Sequence, residues 1–193
     1  MASARPARSD RSSQRNGSII EAGILASEII GRLRSLYKKT PPKRELVAVN
    51  AVIGEVVLLL RGKANENAVS IRTDLADDLP TTVADRVQIQ QVLMNLMLNG
   101  IEAMKDTGGV LRVKSQSREN GQIEISVNDT GPGLPMDKAN QIFDAFFTTK
   151  PQGSGMGLAI SKSIVESHGG RIWANGDGAL GATFHFTLPA GSA

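Results

Sequence analysis

The sequence predicts an α/β sandwich, a mixed and largely antiparallel sheet covered by helices, with one more helix ahead of it. Three observations carry that expectation. Residues 110–117 and 122–129 form the two arms of a hairpin around Glu119-Asn120-Gly121, and Ile123, Ile125 and Val127 alternate along its second arm. Asp85 stands where a helix cap belongs, ahead of a stretch that carries Asn95 and Asn99 one helical turn apart. A glycine-rich stretch, Gly153-Ser154-Gly155-Met156-Gly157-Leu158, opens another helix over 158–167, which stops at Gly169-Gly170.

The remaining elements follow in chain order. Residues 1–17 hold Arg5, Arg8, Arg11 and Arg15 against Asp10, with almost nothing to bury, so a disordered basic arm is expected. That arm accounts for the whole formal charge of +3, and the folded part gives no reason to expect nucleic acid. Ile19, Ala22, Ala26, Ile29, Leu33 and Leu36 make a heptad seam, predicting a helix over 18–38 that ends before Pro41-Pro42. A stripe this apolar requires a partner, and a helical hairpin or a homodimer through residues 19–37 is the favoured one.

Asn50 is placed to cap a helix over 51–63. Val69, Ile71 and Thr73 alternate as a strand, and Thr82-Val83 follow Pro80 as a shorter one. Residues 130–156 hold glycine and proline without periodicity, which predicts a long functional loop. Strands are expected over 172–174 and 183–188. No apolar run reaches the roughly 20 residues of a membrane span. With no cysteine there is no disulfide framework, and a cytoplasmic setting is expected.

Several residue groups suit particular chemistry. The amide oxygens of Asn95 and Asn99 share a helix face, with Glu102 beside them, and are hard neutral ligands suited to a magnesium ion that keeps most of its water. Asp129 ends a strand and enters Thr130-Gly131-Pro132-Gly133. Its carboxylate can accept from an exocyclic amine, and the glycines let a flat base approach the backbone. The free N–H groups at the start of the helix over 158–167 attract phosphate. That stretch is not a Walker A loop, because no Gly-Lys-Ser/Thr follows. It is not a Rossmann fingerprint, because a loop rather than a strand precedes it.

Five motifs occur in one order: Gln91-Val92-Leu93-Met94-Asn95-Leu96-Met97-Leu98-Asn99, Asp129-Thr130-Gly131-Pro132-Gly133, Phe146-Phe147-Thr148-Thr149-Lys150, Gly153-Ser154-Gly155-Met156-Gly157-Leu158 and Gly181-Ala182-Thr183. This series resembles the N, G1, F, G2 and G3 boxes of the ATP-binding domain of sensor histidine kinases. Phe-Phe-Thr-Thr-Lys, with His168-Gly169-Gly170 further on, is similar to the nitrogen- and oxygen-responsive members. The resemblance covers about 18–190 and implies the Bergerat ATP-binding fold over 44–190. Residues 29–34 resemble the second helix of the family's dimerisation hairpin, here over 18–40.

The resemblance implies a set of roles. Asn99 holds magnesium, and Asn95 is its neighbour at the phosphate end. Asp129 meets the adenine amine, with Gly131 and Gly133 at the base pocket. Gly153, Gly155, Gly157 and Leu158 contact phosphates through their backbone, Lys150 reaches the terminal phosphate, and Thr183 supports Asp129. Phe143, Phe146 and Phe147 are expected to anchor the loop. Gly100 stands where the family usually has alanine, at a cost in helix propensity alone.

The implied activity is transfer of the ATP γ-phosphate to a histidine, with a response regulator downstream. Related ATPases such as gyrase place a glutamate where Asn95 stands, so hydrolysis is expected to be slow. The family's acceptor histidine has no counterpart here. His168 and His185 are expected to be structural, and the acceptor is expected in trans or on a missing segment. A nucleotide-binding interaction module without turnover is the alternative. An anti-sigma-type serine kinase is a third reading, in which the heptad helix has no role.

Overall fold

Alternation along one strand organises the sheet. In β5 (Gln122–Asp129), Ile123, Ile125, Val127 and Asp129 all turn to the buried side. The computed structural model describes residues 43–134, 141–149, 154–176 and 181–191. The expected arm over 1–17 and heptad helix over 18–38 lie outside them.

Strand β1 (Glu45–Val47) is followed by α1 (Val49–Glu66), β2 (Val69–Leu75), β3 (Thr82–Ala84) and α2 (Arg86–Ala103). Then come β4 (Gly109–Arg118), β5, a 3-10 turn at Gln141–Phe143, α3 (Gly157–Ser167), β6 (Ile172–Gly176) and β7 (Ala182–Pro189). The main sheet has the order β2-β4-β5-β7-β6, and β1 pairs with β3 in a separate two-stranded sheet. In the main sheet β2 runs parallel to β4 and the other pairings are antiparallel, so the mixed, largely antiparallel α/β sandwich is what forms.

One face of the sheet is apolar. Leu111, Val113, Ile123, Ile125, Val127, Phe184, Phe186 and Leu188 are buried there, together with Val92, Leu93, Leu96, Met97 and Ile101 of α2. The other face carries Arg112, Lys114, Gln116, Glu124, Asn128 and His185, as strict alternation requires. No helix among the described residues is long and apolar enough to cross a membrane.

The cap at Asp85 forms as expected. Its Oδ1 accepts from the backbone N–H groups of Val87 and Gln88 at 3.0 and 3.2 Å. The cap expected at Asn50 does not form, because α1 starts at Val49 and no side chain caps it. Asn50 instead lies inside the helix. Its Nδ2 donates to Ala76 O at 2.8 Å and its Oδ1 accepts from the Ser115 hydroxyl at 2.8 Å, pinning α1 to the sheet. Strand β1, with three residues, is too short for periodicity to reveal, and it exists through its pairing with β3.

His168 ends α3 and is buried. Its Nε2 accepts from the backbone N–H of Asp85 at 3.0 Å, which leaves Nδ1 as the donor to Ile164 O at 2.8 Å. The neutral ring thus ties the end of α3 to the start of α2. Replacing His168 with leucine keeps the volume but strands the Asp85 N–H. We expect a loss of about 1–3 kcal/mol in urea unfolding, and a loss below half a kcal/mol would show that the imidazole is not a tie.

Candidate functional site

The site forms where α2 passes the end of β5 on one side and the start of α3 on the other. Gly100 of α2 lies against Asp129, with an added Cβ 3.3 Å from the Asp129 Cβ. Five residues earlier, Asn95 donates through Nδ2 to Gly157 O at 3.2 Å and to the Ser161 hydroxyl at 3.3 Å. A rise of 1.5 Å per residue separates the two contacts by about 7.5 Å along the helix. The structure therefore sets the Asp129 end and the Asn95 end on a single rigid element.

Asp129 is 3% exposed. Its Oδ1 accepts from Gly131 N at 2.9 Å and from Ala182 N at 3.3 Å. Its Oδ2 accepts no hydrogen bond from the described residues. Desolvation pushes the carboxyl above the usual carboxylate range, and the hydrogen bonds from Gly131 and Ala182 offset only part of that.

Close approach to this carboxylate depends on glycine. At Gly181, with φ +89°, an added Cβ would stand 1.9 Å from Asp129 O, so nothing larger fits. At Gly100 an added Cβ would fall 2.5 Å from Leu111 Cδ1. That atom is the free end of a side chain, so an alanine here is met by a shift of Leu111, and the cost of glycine stays one of helix propensity.

Thr183 does not join Asp129. It follows Ala182 on β7, and alternation turns its side chain to the opposite sheet face, where its hydroxyl accepts from Asn128 Nδ2 at 2.9 Å. The partner that Thr183 was expected to be is the Ala182 backbone N–H, which no side-chain pattern announces.

At the other end, Asn95 and Asn99 are both half-buried on one face of α2. Glu102 is exposed one turn on. No side chain caps α3, so the first-turn N–H groups of Gly157 and Leu158 have no capping partner. Gly155, with φ +65°, accepts from Phe146 N at 3.0 Å, and its added Cβ would stand 2.4 Å from the Phe146 carbonyl carbon. Lys150 and Gly153 lie outside the described residues. No group of three or more His, Cys, Asp or Glu able to hold a metal occurs among the described residues.

The phenylalanines divide. Phe143 is buried and meets Phe184 edge-on, with centroids 6.5 Å apart, so it anchors the segment. Phe146 is 77% exposed with φ +69°, so its side chain anchors nothing, while its backbone N–H holds Gly155. His185 sits on the sheet face away from the site, stacked on Trp173 at 5.1 Å. Burial lowers its pKa despite the nearby Glu124 carboxylate, whose Oε1 lies 3.4 Å from Nδ1. Of the two histidines, His168 is a structural tie, and His185 lies on the sheet face away from the site.

Residues 84–192 match the family described as histidine kinase-, DNA gyrase B-, and HSP90-like ATPase. The chain is 42% identical over 171 residues to sensor protein FixL of Bradyrhizobium diazoefficiens, covering 88% of this chain and 34% of that protein. The catalytic domain of histidine kinase ThkA superposes with a TM-score of 0.69 at 33% identity, covering 77% of this chain and 96% of that one. ThkA in complex with response regulator protein TrrA gives 0.71 at 28% identity, over 98% of this chain and 53% of that one. Full-length ShkA in complex with AMPPNP gives 0.78 at 26% identity, over 100% of this chain and 41% of that one. The chain spans 18% to 35% of the length of the curated relatives with which it was compared.

Because its pKa is raised by folding, Asp129 holds its proton more tightly in the native state than in the unfolded chain. Its contribution to stability is fully present below its unfolded pKa and is lost as pH rises through the raised value. In its ionised form the buried carboxylate is therefore a cost. Asp129→Asn keeps an acceptor for Gly131 and Ala182 without the charge. Its urea midpoint should exceed that of the unchanged protein at pH 7, and the gap should close in acid. An asparagine variant less stable at pH 7 would contradict this account of the buried charge.

Proposed function

This chain belongs to the histidine kinase-, DNA gyrase B- and HSP90-like ATPase family, as the catalytic domain of a sensor histidine kinase, and we propose that it binds Mg-ATP and transfers the γ-phosphate to a histidine outside this chain. The observation that carries the reading is the Asp129 carboxylate. One oxygen is committed to backbone N–H groups, and the other is left for a donor such as the adenine N6 amine. Gly131 and Gly133, the latter at φ +81°, keep the adjoining backbone without side chains, which suits a flat base.

The uncapped start of α3 supports the phosphate end, where the N–H groups of Gly157 and Leu158 and the helix dipole favour negative charge. Gly155 and Gly153 precede it, and Lys150 is the cation assigned to the terminal phosphate. Asn99 would hold magnesium through its amide oxygen, with Asn95 beside it. A bound magnesium ion would neutralise charge on the transferring phosphoryl group. The protein's part is then to position and to stabilise charge, which suits phosphoryl transfer. Asn95 cannot take a proton from water, which is consistent with a transferase that hydrolyses slowly.

The acceptor on this reading belongs to a dimerisation hairpin, with the helix over 18–38 as its second arm and a homodimer contact through 19–37. The complex of ThkA with TrrA supports a response regulator as the downstream partner. A cytoplasmic position follows from the use of ATP and a response regulator.

Mixing the chain with a separate hairpin that bears an acceptor histidine, in labelled Mg-ATP, should put acid-labile phosphate on the hairpin. Clear nucleotide binding with an unlabelled hairpin would leave a binding module without turnover. Asn99→Ala should bind ATP with an affinity that no longer responds to magnesium. A variant that keeps the response would move the metal to another ligand.

A further inference from the structure

We propose that Ser161 is a positioning residue that fixes which end of the Asn95 amide faces the phosphate end of the site. The proposal rests on the Mg-ATP reading above. Ser161 lies on α3 one turn past Gly157 and is 0% exposed. A serine inside a helix commonly bonds back to the carbonyl four residues earlier, and Ser161 does so, donating to Gly157 O at 3.0 Å. That bond alone would make it a plain core residue. It does not account for the second partner, Asn95 of α2, whose Nδ2 reaches the Ser161 oxygen at 3.3 Å and Gly157 O at 3.2 Å.

The arrangement is directional. With the serine proton spent on Gly157 O, the serine oxygen is left as an acceptor, and Gly157 O is another. Both face the same end of the Asn95 side chain, so that end must be the NH2 group. Reversing the amide would set Oδ1 against the Gly157 carbonyl, two acceptors with no proton between them. Oδ1 is thereby held on the side away from α3, and it accepts no hydrogen bond from the described residues. At the phosphate end of a Mg-ATP site, an outward carbonyl oxygen is suited to accept from water in the magnesium shell. Without the Ser161 hydroxyl, one of the two contacts that select this orientation is gone.

The test is a double-mutant cycle read by calorimetry on the full chain, with ATP in the presence of magnesium and in the presence of a chelator. Ser161→Ala should weaken Mg-ATP binding by about threefold to tenfold, the worth of one hydrogen bond. It should leave magnesium-free ATP binding unchanged, and it should cost nothing further in an Asn95→Ala background. Equal losses with and without magnesium, additive losses in the double variant, or no loss at all would each overturn the proposal. Failure of the unsubstituted chain to bind Mg-ATP would instead sink the functional reading, and this proposal with it.

Discussion

The buried carboxylate of Asp129 is the constraint on which the rest of the site depends. It ends β5, the middle strand of the main sheet, and it is held by the backbone N–H groups of Gly131 and Ala182. Holding it there requires β7 to come within contact of the Asp129 backbone, which only glycine at 181 permits. α2 also lies close over it, with Gly100 against Asp129. The strand pairing, the helix packing and the proposed binding chemistry thus meet at one side chain. The same burial that makes the carboxylate costly as an anion gives its remaining oxygen a dry and defined direction.

The second organising feature is α2 itself. One face packs into the core through Val92, Leu93, Leu96, Met97 and Ile101, all fully buried. The same helix presents Gly100 to Asp129, and Asn95 to Gly157 and Ser161. A shift of α2 would move both ends of the candidate site together, so the spacing between its Asp129 end and its Asn95 end is inherited from helix geometry rather than from loops. Its start is fixed from two sides, by the Asp85 cap and by His168 at the end of α3. Arg86 adds an ion pair with Glu55 of α1 at 2.5 Å, although its exposure limits its worth.

Much of this was legible in the sequence, where a local rule and the tertiary structure agree. The alternation of Ile123, Ile125 and Val127 set the buried face of β5, and Asp85 capped the helix that carries both asparagines. What was not legible has a physical reason in each case. Asn50 is a good cap residue locally, but Ala76 and Ser115, far off in sequence, offer its amide a half-buried pair of hydrogen bonds instead. Thr183 belongs to a recognisable motif, yet strand parity turns its hydroxyl to the other face, and the group that meets Asp129 is a backbone N–H that any residue could supply.

The central claim is that the Asp129 end of the site selects adenine while α2 carries the selection to the phosphate end. Amide chemical shifts of the full chain, followed through titration with Mg-ADP and separately with Mg-GDP, test it most directly. With Mg-ADP the account predicts shifts at Gly131, Gly133 and Ala182 together with shifts at Gly157 and Leu158. With Mg-GDP it predicts no response at the Asp129 end, because the guanine O6 edge offers that carboxylate no donor. Equal shifts with both nucleotides, or shifts confined to the opposite sheet face around Trp173 and His185, would contradict it.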